Sequence, residues 1–224
     1  MDTVEYAPQR SADLFGDPAD PTILVWHGTQ TDARATVGPL CELLAARGFG
    51  VVAPDWDSHA DDGGRADLLR SAEFASSWST GPRPPAVVGW SLGAVAAAGL
   101  TLRAADYGVT VAHTVCLAGA FMAPDPISGE PLSALLAGAP VGGGFTLLHG
   151  VDDDVVPVDA SRSFAADLRA ADWPVQVVEL PTDHGAIAGA RYDAAADRYF
   201  PATDEHTHMV ATDVADHIAA ALSS

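Results

Sequence analysis

The chain contains the stretch Val87-Val88-Gly89-Trp90-Ser91-Leu92-Gly93-Ala94. A short apolar run, residues 86–88, leads into Gly-Trp-Ser-Leu-Gly, and an alanine-rich run, residues 94–105, follows it. A short apolar run bounded by turn residues is typical of a buried strand, whereas alanine favours a helix. The stretch therefore predicts a strand, a sharp turn and a helix, with Ser91 at the tip of the turn.

The glycines on either side of Ser91 fit a specific kind of turn. A residue at such a tip is held in a strained backbone conformation, so the residues two positions away must lack side chains. Gly89 and Gly93 meet that need. A G-x-S-x-G turn between a strand and a helix is a nucleophile elbow, in which helix N–H groups face the serine and stabilise negative charge. The alternative is an ordinary loop in which Ser91 caps the helix.

Length and composition predict one globular domain. The chain has 224 residues, of which 48% are hydrophobic and 18% charged. A single α/β domain commonly reaches this size, and this composition excludes a disordered chain. Residues 1–224 are therefore expected to form one domain, a central sheet covered by helices.

The charge balance limits the possible partners. Asp and Glu number 30 against 11 basic residues, which gives a net charge of -19. Such a field repels nucleic acid and anionic membranes, so we expect neither as a partner. The first residues, Met1 to Glu5, lack the basic and apolar segments of a secretory signal, so a cytoplasmic location is expected. The abundance of Asp is typical of adaptation to high salt, whereas the lack of lysine with abundant Ala, Gly and Pro is typical of biased genome composition, and both interpretations stay open.

Strands and helices alternate along the chain. Strands are predicted over residues 4–6, 12–15, 22–26, 49–53, 86–88, 109–117, 145–148 and 175–180, and helices over 33–47, 66–78, 94–105, 161–171 and 207–222, with a short one near 132–137. The first two strands fit a hairpin at the sheet edge. The rest imply right-handed crossovers and a mostly parallel sheet, whose functional residues lie where the strands end.

Unusual polar residues follow four of these strands. His27-Gly28 ends the strand over 22–26, Ser91 follows the strand over 86–88, three aspartates at 152–154 follow another strand, and His184 follows the last. The carboxyl ends of parallel strands meet at one edge of a sheet, so we expect these side chains to lie near one another. In chain order they are Ser, Asp and His.

With these motifs the sequence resembles the α/β-hydrolase superfamily, in its serine esterase or dienelactone-hydrolase-like form. The resemblance covers nearly the whole chain, from the early hairpin through HG, Ala53-Pro54-Asp55, GWSLG and HGVDDDVVP to DHG. It implies the α/β-hydrolase fold: a mostly parallel sheet flanked by helices, with a minimal lid. It also implies chemistry without a cofactor or metal. The family's acid stands four residues after the histidine of H-G-x-x-D-x-x-V-P, which here is Asp153; the acidic run alone also allows Asp152 and Asp154.

The resemblance implies a role for each residue. Ser91 attacks a carbonyl, His184 takes its proton and later returns it, and Asp153 orients the imidazole. The backbone N–H groups of Leu92 and Thr29 form the oxyanion hole. Here the chain departs from many esterases, because Thr29-Gln30 replaces the extra glycines of an HGGG loop.

Two segments lie outside the common pattern. Residues 121–143 form a small lid-like segment, too short for an interfacial lipase, and the predicted substrate-binding residues are Trp90, Phe121 and Met122. Residues 186–205 form an insertion after His184, with a helical pattern over 192–200. Two histidines beyond it, His206 and His208, are alternatives for the base or mark an exposed helix start. His27 and His149 are interpreted as structural.

The predicted function is hydrolysis of a small carboxylic ester through an acyl-enzyme intermediate. Lactones, thioesters and peptides are alternative substrates, because the fold does not choose among them. Serine rather than cysteine at the elbow argues against the dienelactone type, and the absence of an elbow aspartate argues against a haloalkane dehalogenase. A different class is a non-catalytic homologue that binds a ligand or partner protein. No oligomeric state is predicted.

Overall fold

Eight strands form one sheet in the computed structural model, which describes residues 1–223. The strands are β1 (Asp2–Ala7), β2 (Arg10–Phe15), β3 (Thr22–Trp26), β4 (Gly50–Pro54), β5 (Ala86–Trp90), β6 (Thr114–Leu117), β7 (Phe145–Gly150) and β8 (Val175–Leu180). Their order across the sheet is β1-β2-β4-β3-β5-β6-β7-β8. The pairs β1-β2 and β2-β4 are antiparallel, and the other pairs are parallel. The predicted hairpin and mostly parallel sheet are confirmed.

Six α-helices within residues 1–223 connect and cover the strands. They are α1 (Gly38–Ala45), α2 (Arg65–Trp78), α3 (Leu92–Leu102), α4 (Leu132–Leu136), α5 (Asp159–Ala170) and α6 (Glu205–Leu222), with short 3₁₀ helices over Arg34–Val37 and Ala186–Ala188. No helix within residues 1–223 combines the length and the apolar character needed to cross a bilayer.

The core lies in two layers because strand side chains alternate between the faces of the sheet. On one face, Val25 and Val88 pack with Leu40 of α1 and Val214 of α6. On the other face, Leu24 and Val87 pack with α2 and α3, and Cys116 and Leu147 pack with α3 and α5. Helices therefore cover both faces, as a parallel sheet requires.

The strand register brings the predicted site residues to one edge. Trp26 pairs with Gly89, Trp90 with Leu117, Leu117 with Leu148, and Gly150 with Leu180. The residues that follow β3, β5, β7 and β8 therefore emerge side by side, as the alternation of strands and helices predicts.

Two predicted elements are shorter in the structure. The helix predicted over 33–47 is a 3₁₀ turn, Arg34–Val37, followed by α1. Pro39 has no N–H to donate to a residue four positions earlier, so the first turn does not continue as one α-helix. The strand predicted over 109–117 begins only at Thr114, because the Val109 N–H bonds back to the Ala104 carbonyl and closes the turn that follows α3.

The helix predicted over 192–200 is wrong. The segment is a hairpin of β9 (Ala190–Asp193) and β10 (Arg198–Pro201), separate from the main sheet. The aromatic residues Tyr192 and Tyr199 face each other across it, with ring centroids 5.2 Å apart. The alanines that suggested a helix occupy the turn, where Asp193 accepts hydrogen bonds from two of their N–H groups. Aromatic pairs across strands favour this arrangement over the alanine propensity.

The segment 121–143 is a series of turns around the short helix α4. Asp125 is fully buried against Gly99 of α3 and accepts hydrogen bonds from the N–H groups of Ile127 and Ser128. This side chain therefore closes a turn within the segment and packs that turn against α3. Its role as a lid stays a prediction.

Candidate active site

Ser91 lies in the sharp turn between β5 and α3. Its backbone has φ 57° and ψ -117°, a strained conformation for a residue with a side chain. The Ser91 N–H donates to the Leu117 carbonyl at 2.9 Å, and its own carbonyl accepts from Ala120 at 3.2 Å. Ladder-like hydrogen bonds thus fix the turn to the neighbouring strand, and the side chain is partly exposed.

The glycines around Ser91 are sterically required. A Cβ on Gly89 would lie 2.1 Å from the Gly93 carbonyl oxygen, and one on Gly93 would lie 2.3 Å from the His27 carbonyl oxygen. Neither distance is compatible with a side chain. The strand β5, the helix α3 and the loop after β3 therefore approach one another as closely as a nucleophile elbow predicts. The alternative in which Ser91 only caps the helix fails, because Ser91 makes no side-chain cap hydrogen bond.

His27 organises the loop after β3. Its Nδ1 donates to the Gly28 carbonyl at 2.9 Å, and its Nε2 accepts from the N–H groups of Trp56 and Ala33 at 3.3 and 3.4 Å. The ring is fully buried and stacks on Trp56. Burial lowers the pKa of His27 to about 4, so the ring is neutral near pH 7 and suits this mixture of donor and acceptor. The structural interpretation fits these contacts.

Two backbone N–H groups near Ser91 have no acceptor within residues 1–223. Leu92 is the first residue of α3, and such N–H groups lack a partner inside the helix. Thr29 lies at the exposed tip of a tight turn closed by the Gln30 N–H on the Gly28 carbonyl at 2.8 Å. Gly28 contacts Ser91, since a Cβ built on it would lie 3.1 Å from the Ser91 Cβ. Both predicted oxyanion donors therefore belong to segments that adjoin Ser91.

The loops after β7 and β8 bring Asp153 and His184 together. Asp153 Oδ2 lies 2.7 Å from His184 Nδ1, and the carboxylate is fully buried. Asp152 and Asp154 have exposed side chains in the cleft described below. Of the three aspartates, only Asp153 bonds to a histidine, which is the arrangement expected for it.

Asp153 has further partners. Its Oδ1 accepts from the N–H groups of Val155 and Val156 at 2.9 and 2.8 Å, and Oδ2 lies 3.3 Å from His149 Nε2. Burial raises the pKa of Asp153, but the hydrogen bonds from both histidines and from Val156 outweigh it and hold that pKa well below its usual range. The carboxylate is therefore ionised at neutral pH.

His149 is a supporting residue that the sequence interpretation assigned only a structural role. It is fully buried, with Nδ1 2.7 Å from Ser161 Oγ and Nε2 2.9 Å from the Val156 carbonyl. Since that carbonyl only accepts, Nε2 carries the proton and also faces Asp153. The sequence signal for this role was the H-G-x-x-D motif, in which His149 stands four residues before Asp153.

Trp90 and Tyr199 hold His184 in place. Trp90 is 2% exposed, and its indole N–H donates to the His184 carbonyl at 2.8 Å. The Trp90 ring contacts Tyr199 edge-on at 5.0 Å, and the His184 ring lies 5.5 and 6.0 Å from these two rings. Trp90 is thus buried beneath the imidazole. The prediction that it contacts substrate stays a prediction.

The imidazole of His184 is nearly buried and directs one nitrogen to Asp153, which leaves Nε2 for another partner. The Ser91 hydroxyl makes no hydrogen bond to any residue from 1 to 223. Its chain neighbour Trp90 contacts His184 directly. The structure therefore joins His184 to Asp153 by a hydrogen bond and to the Ser91 turn by packing.

A cleft of about 850 Å³ opens beside His184. It is lined by the hairpin residues Arg191, Tyr192 and Tyr199 and by several aspartates of the neighbouring loops. Burial, and then nearby aspartates, raise the pKa of Tyr199 to about 12, so its hydroxyl is protonated. The insertion after His184 is thus one wall of the cleft.

Phe121 and Met122 lie elsewhere. They line a smaller cleft of about 380 Å³ against α5, where Phe121 stacks on Phe164 at 4.3 Å. Met122 is 64% exposed. The structure does not bring these side chains into the cleft beside His184, and their role in substrate binding stays a prediction.

The alternative bases His206 and His208 lie exposed in the first turn of α6.

No group of three or more His, Cys, Asp or Glu side chains in residues 1–223 is arranged to hold a metal ion.

Comparisons with known proteins show the fold. No protein-family model matches the chain, and no curated protein matches it. The apo form of esterase 2 from Thermogutta terrifontis has a TM-score of 0.74 at 17% identity, covering 97% of this chain and 92% of that one. The same esterase phosphorylated by paraoxon has a TM-score of 0.72 at 18% identity, with the same coverage. Est1E from Butyrivibrio proteoclasticus, with ferulic acid bound, has a TM-score of 0.72 at 13% identity and covers both chains fully. With its parallel sheet and serine turn, the chain has the α/β-hydrolase fold.

Proposed function

We propose that the protein is a serine hydrolase that cleaves a small carboxylic ester, with Ser91, Asp153 and His184 as its catalytic triad. One observation carries the proposal: a buried Asp153–His184 pair is held by Trp90 beside a serine at a strained strand-to-helix turn. Nucleophile, base and orienting acid are the three groups that acyl transfer needs.

The first step forms the acyl-enzyme. His184 Nε2 takes the hydroxyl proton of Ser91 while the oxygen attacks the ester carbonyl, and the imidazolium then gives that proton to the leaving alcohol. Asp153 holds Nδ1–H at 2.7 Å and stabilises the cation. In the second step a water molecule attacks the acyl group and gives a proton to His184, which passes it to the Ser91 oxygen as the acyl–oxygen bond breaks and the carboxylic acid is released.

The oxyanion of each tetrahedral intermediate needs donors that are in place beforehand. The N–H of Leu92 at the start of α3 fits this role because helix N-termini carry positive partial charge. Thr29 supplies the second donor from the loop that His27 organises. Loss of one such donor typically costs about 3 kcal/mol of transition-state stabilisation.

Structural neighbours support the choice of ester chemistry. The Thermogutta terrifontis esterase was captured phosphorylated by paraoxon and with butyrate or propionate bound. We therefore expect that the substrate of this protein has a short acyl group and that its Ser91 reacts with organophosphates. Lactonase, thioesterase or peptidase activity, and the dienelactone-hydrolase-like subtype, have no observation in their favour here.

Hydrolysis of p-nitrophenyl acetate and butyrate tests the proposal. We expect turnover by the wild-type protein and a loss of at least about 10³-fold in kcat for Ser91→Ala. Ser77→Ala, an exposed position on α2, is the matched control. Equal rates for Ser91→Ala and Ser77→Ala would contradict the proposal and favour a binding protein with the same fold.

A further inference from the structure

The side chain of Gln30 joins two parts of the candidate site that are 169 positions apart in the chain. Its Oε1 accepts from the Tyr199 N–H at 2.5 Å, and its Nε2 donates to the Tyr199 carbonyl at 3.4 Å. Both groups belong to the outward edge of β10, so the Gln30 amide pairs with it as one peptide group of a neighbouring strand would. We call this pair of hydrogen bonds the Gln30 clamp.

One end of the clamp lies in the loop after β3. The Gln30 N–H closes the tight turn over Thr29 by bonding to the Gly28 carbonyl at 2.8 Å. Thr29 itself is exposed and its N–H has no acceptor among residues 1–223, so its direction depends on its neighbours. His27 fixes the turn from one side, and the clamp fixes it from the other.

The other end of the clamp reaches His184. The Tyr199 ring packs on Trp90 and on the His184 ring, and a Cβ on Gly185 would lie 3.0 Å from a Tyr199 ring carbon. β10 also lies against the 3₁₀ helix Arg34–Val37. The hairpin therefore touches both the loop of the expected oxyanion donor and the loop of the expected base.

We propose that Gln30 is a positioning residue for ester hydrolysis. Through the Gln30 side chain, the hairpin β9-β10 holds the Thr29 N–H and His184 at fixed positions relative to each other. This rests on the proposed function. Gln30 acts through Thr29 and Tyr199, so its loss affects the transition state more than substrate binding. Because removal of one oxyanion donor costs about 10²-fold to 10³-fold in kcat, we expect a partial effect of about 10-fold to 100-fold.

The test is a comparison of Gln30→Met with Gln176→Met. Methionine keeps the length of the side chain but makes neither hydrogen bond. Gln176 is exposed on β8, away from the end that carries the site. We expect Gln30→Met to lower kcat for p-nitrophenyl butyrate by about 10-fold to 100-fold with KM changed less than about threefold, and Gln176→Met to change neither.

Two further measurements separate positioning from folding. Hydrogen exchange of the peptide that contains Tyr199 should accelerate in Gln30→Met, with an unfolding midpoint close to that of Gln176→Met. Gln30→Ala serves as a second variant with the same expected changes. A kcat within threefold of the wild type in both Gln30 variants would overturn this proposal alone. A wild-type protein that hydrolyses no ester and leaves Ser91 unmodified by paraoxon would overturn the proposed function, and this inference with it.

Discussion

Asp153 Oδ2 and His184 Nδ1 lie 2.7 Å apart although the two residues are 31 positions apart in the chain. The hydrogen bond forms because β7 and β8 are adjacent parallel strands whose ends coincide at Gly150 and Leu180. Two N–H groups on Oδ1 and His149 on Oδ2 fix the carboxylate before any substrate arrives. The pair is thus organised in advance, as the proposed role of His184 as a base with one fixed tautomer requires.

Asp153→Asn is expected to lower kcat by about 10³-fold to 10⁴-fold. The amide keeps the size of the side chain but donates toward Nδ1, which places the imidazole proton on Nε2, where the base must accept. Steady-state kinetics of ester hydrolysis measure the effect. The same change at Asp152 or Asp154 removes one exposed charge and should cost less than tenfold. An equal loss at either of these positions would assign the orienting role there instead.

His27 makes the stability of the protein depend on pH. Its pKa is lowered from 6.5 to about 4 by burial, so unfolding takes up a proton between these values. The contribution of the neutral ring is complete above about pH 6.5, falls as the pH decreases, and levels off below about pH 4. Between these two pH values the contribution of His27 to the free energy of unfolding falls by roughly 3 kcal/mol. Urea unfolding from pH 7 to 4.5 measures it. His27→Asn should be less stable at pH 7 and should lose most of this slope; an unchanged slope in the variant would contradict the assignment.

Gly93→Ala should destabilise the fold strongly. The added Cβ would lie 2.3 Å from the His27 carbonyl oxygen, a backbone atom that cannot move without disturbing β3. We expect a loss of at least about 3 kcal/mol in the free energy of unfolding. Gly38→Ala is the matched control, because a Cβ there meets nothing within 4 Å and the residue has a helical φ of -52°. That variant should gain about 0.5 kcal/mol.

His149→Gln should weaken the support of Asp153. The buried carboxylate loses a partner 3.3 Å away, and Ser161 loses the acceptor of its hydroxyl. A buried group left without its partner costs about 1–3 kcal/mol, so the free energy of unfolding should fall by that amount. Ester hydrolysis should slow by less than in Asp153→Asn, because the main bond to His184 remains. Unfolding and kinetic measurements on the same preparations compare the two effects.

The sequence predicts the parts of the fold that depend on local rules. Gly89 and Gly93 predicted the turn because only glycine permits that close approach. Strand alternation then predicted that Ser91, one of the aspartates 152–154 and His184 end at one edge. These inferences need only neighbours in the chain and the geometry of a parallel sheet, whereas the choice of Asp153 among the three aspartates came from the family resemblance.

The hairpin and its contacts required the structure. Three alanines between Asp193 and Asp197 favoured a helix, while the Tyr192–Tyr199 pair across the strands decides the outcome. Gln30 pairs with Tyr199 across 169 positions, and no local pattern indicates this contact. The burial of Trp90 beneath His184 could not be predicted from the sequence either, because the exposure of a residue depends on which distant residues pack over it.

Mass spectrometry of the protein after treatment with paraoxon tests the central claim most directly, since it reports the nucleophile itself. The account predicts one diethylphosphoryl group per chain, located on Ser91, with labelling slowed at least about 10²-fold in His184→Ala and absent at this site in Ser91→Ala. A folded wild-type protein whose Ser91 stays unmodified, or whose label lies on another residue, would contradict it.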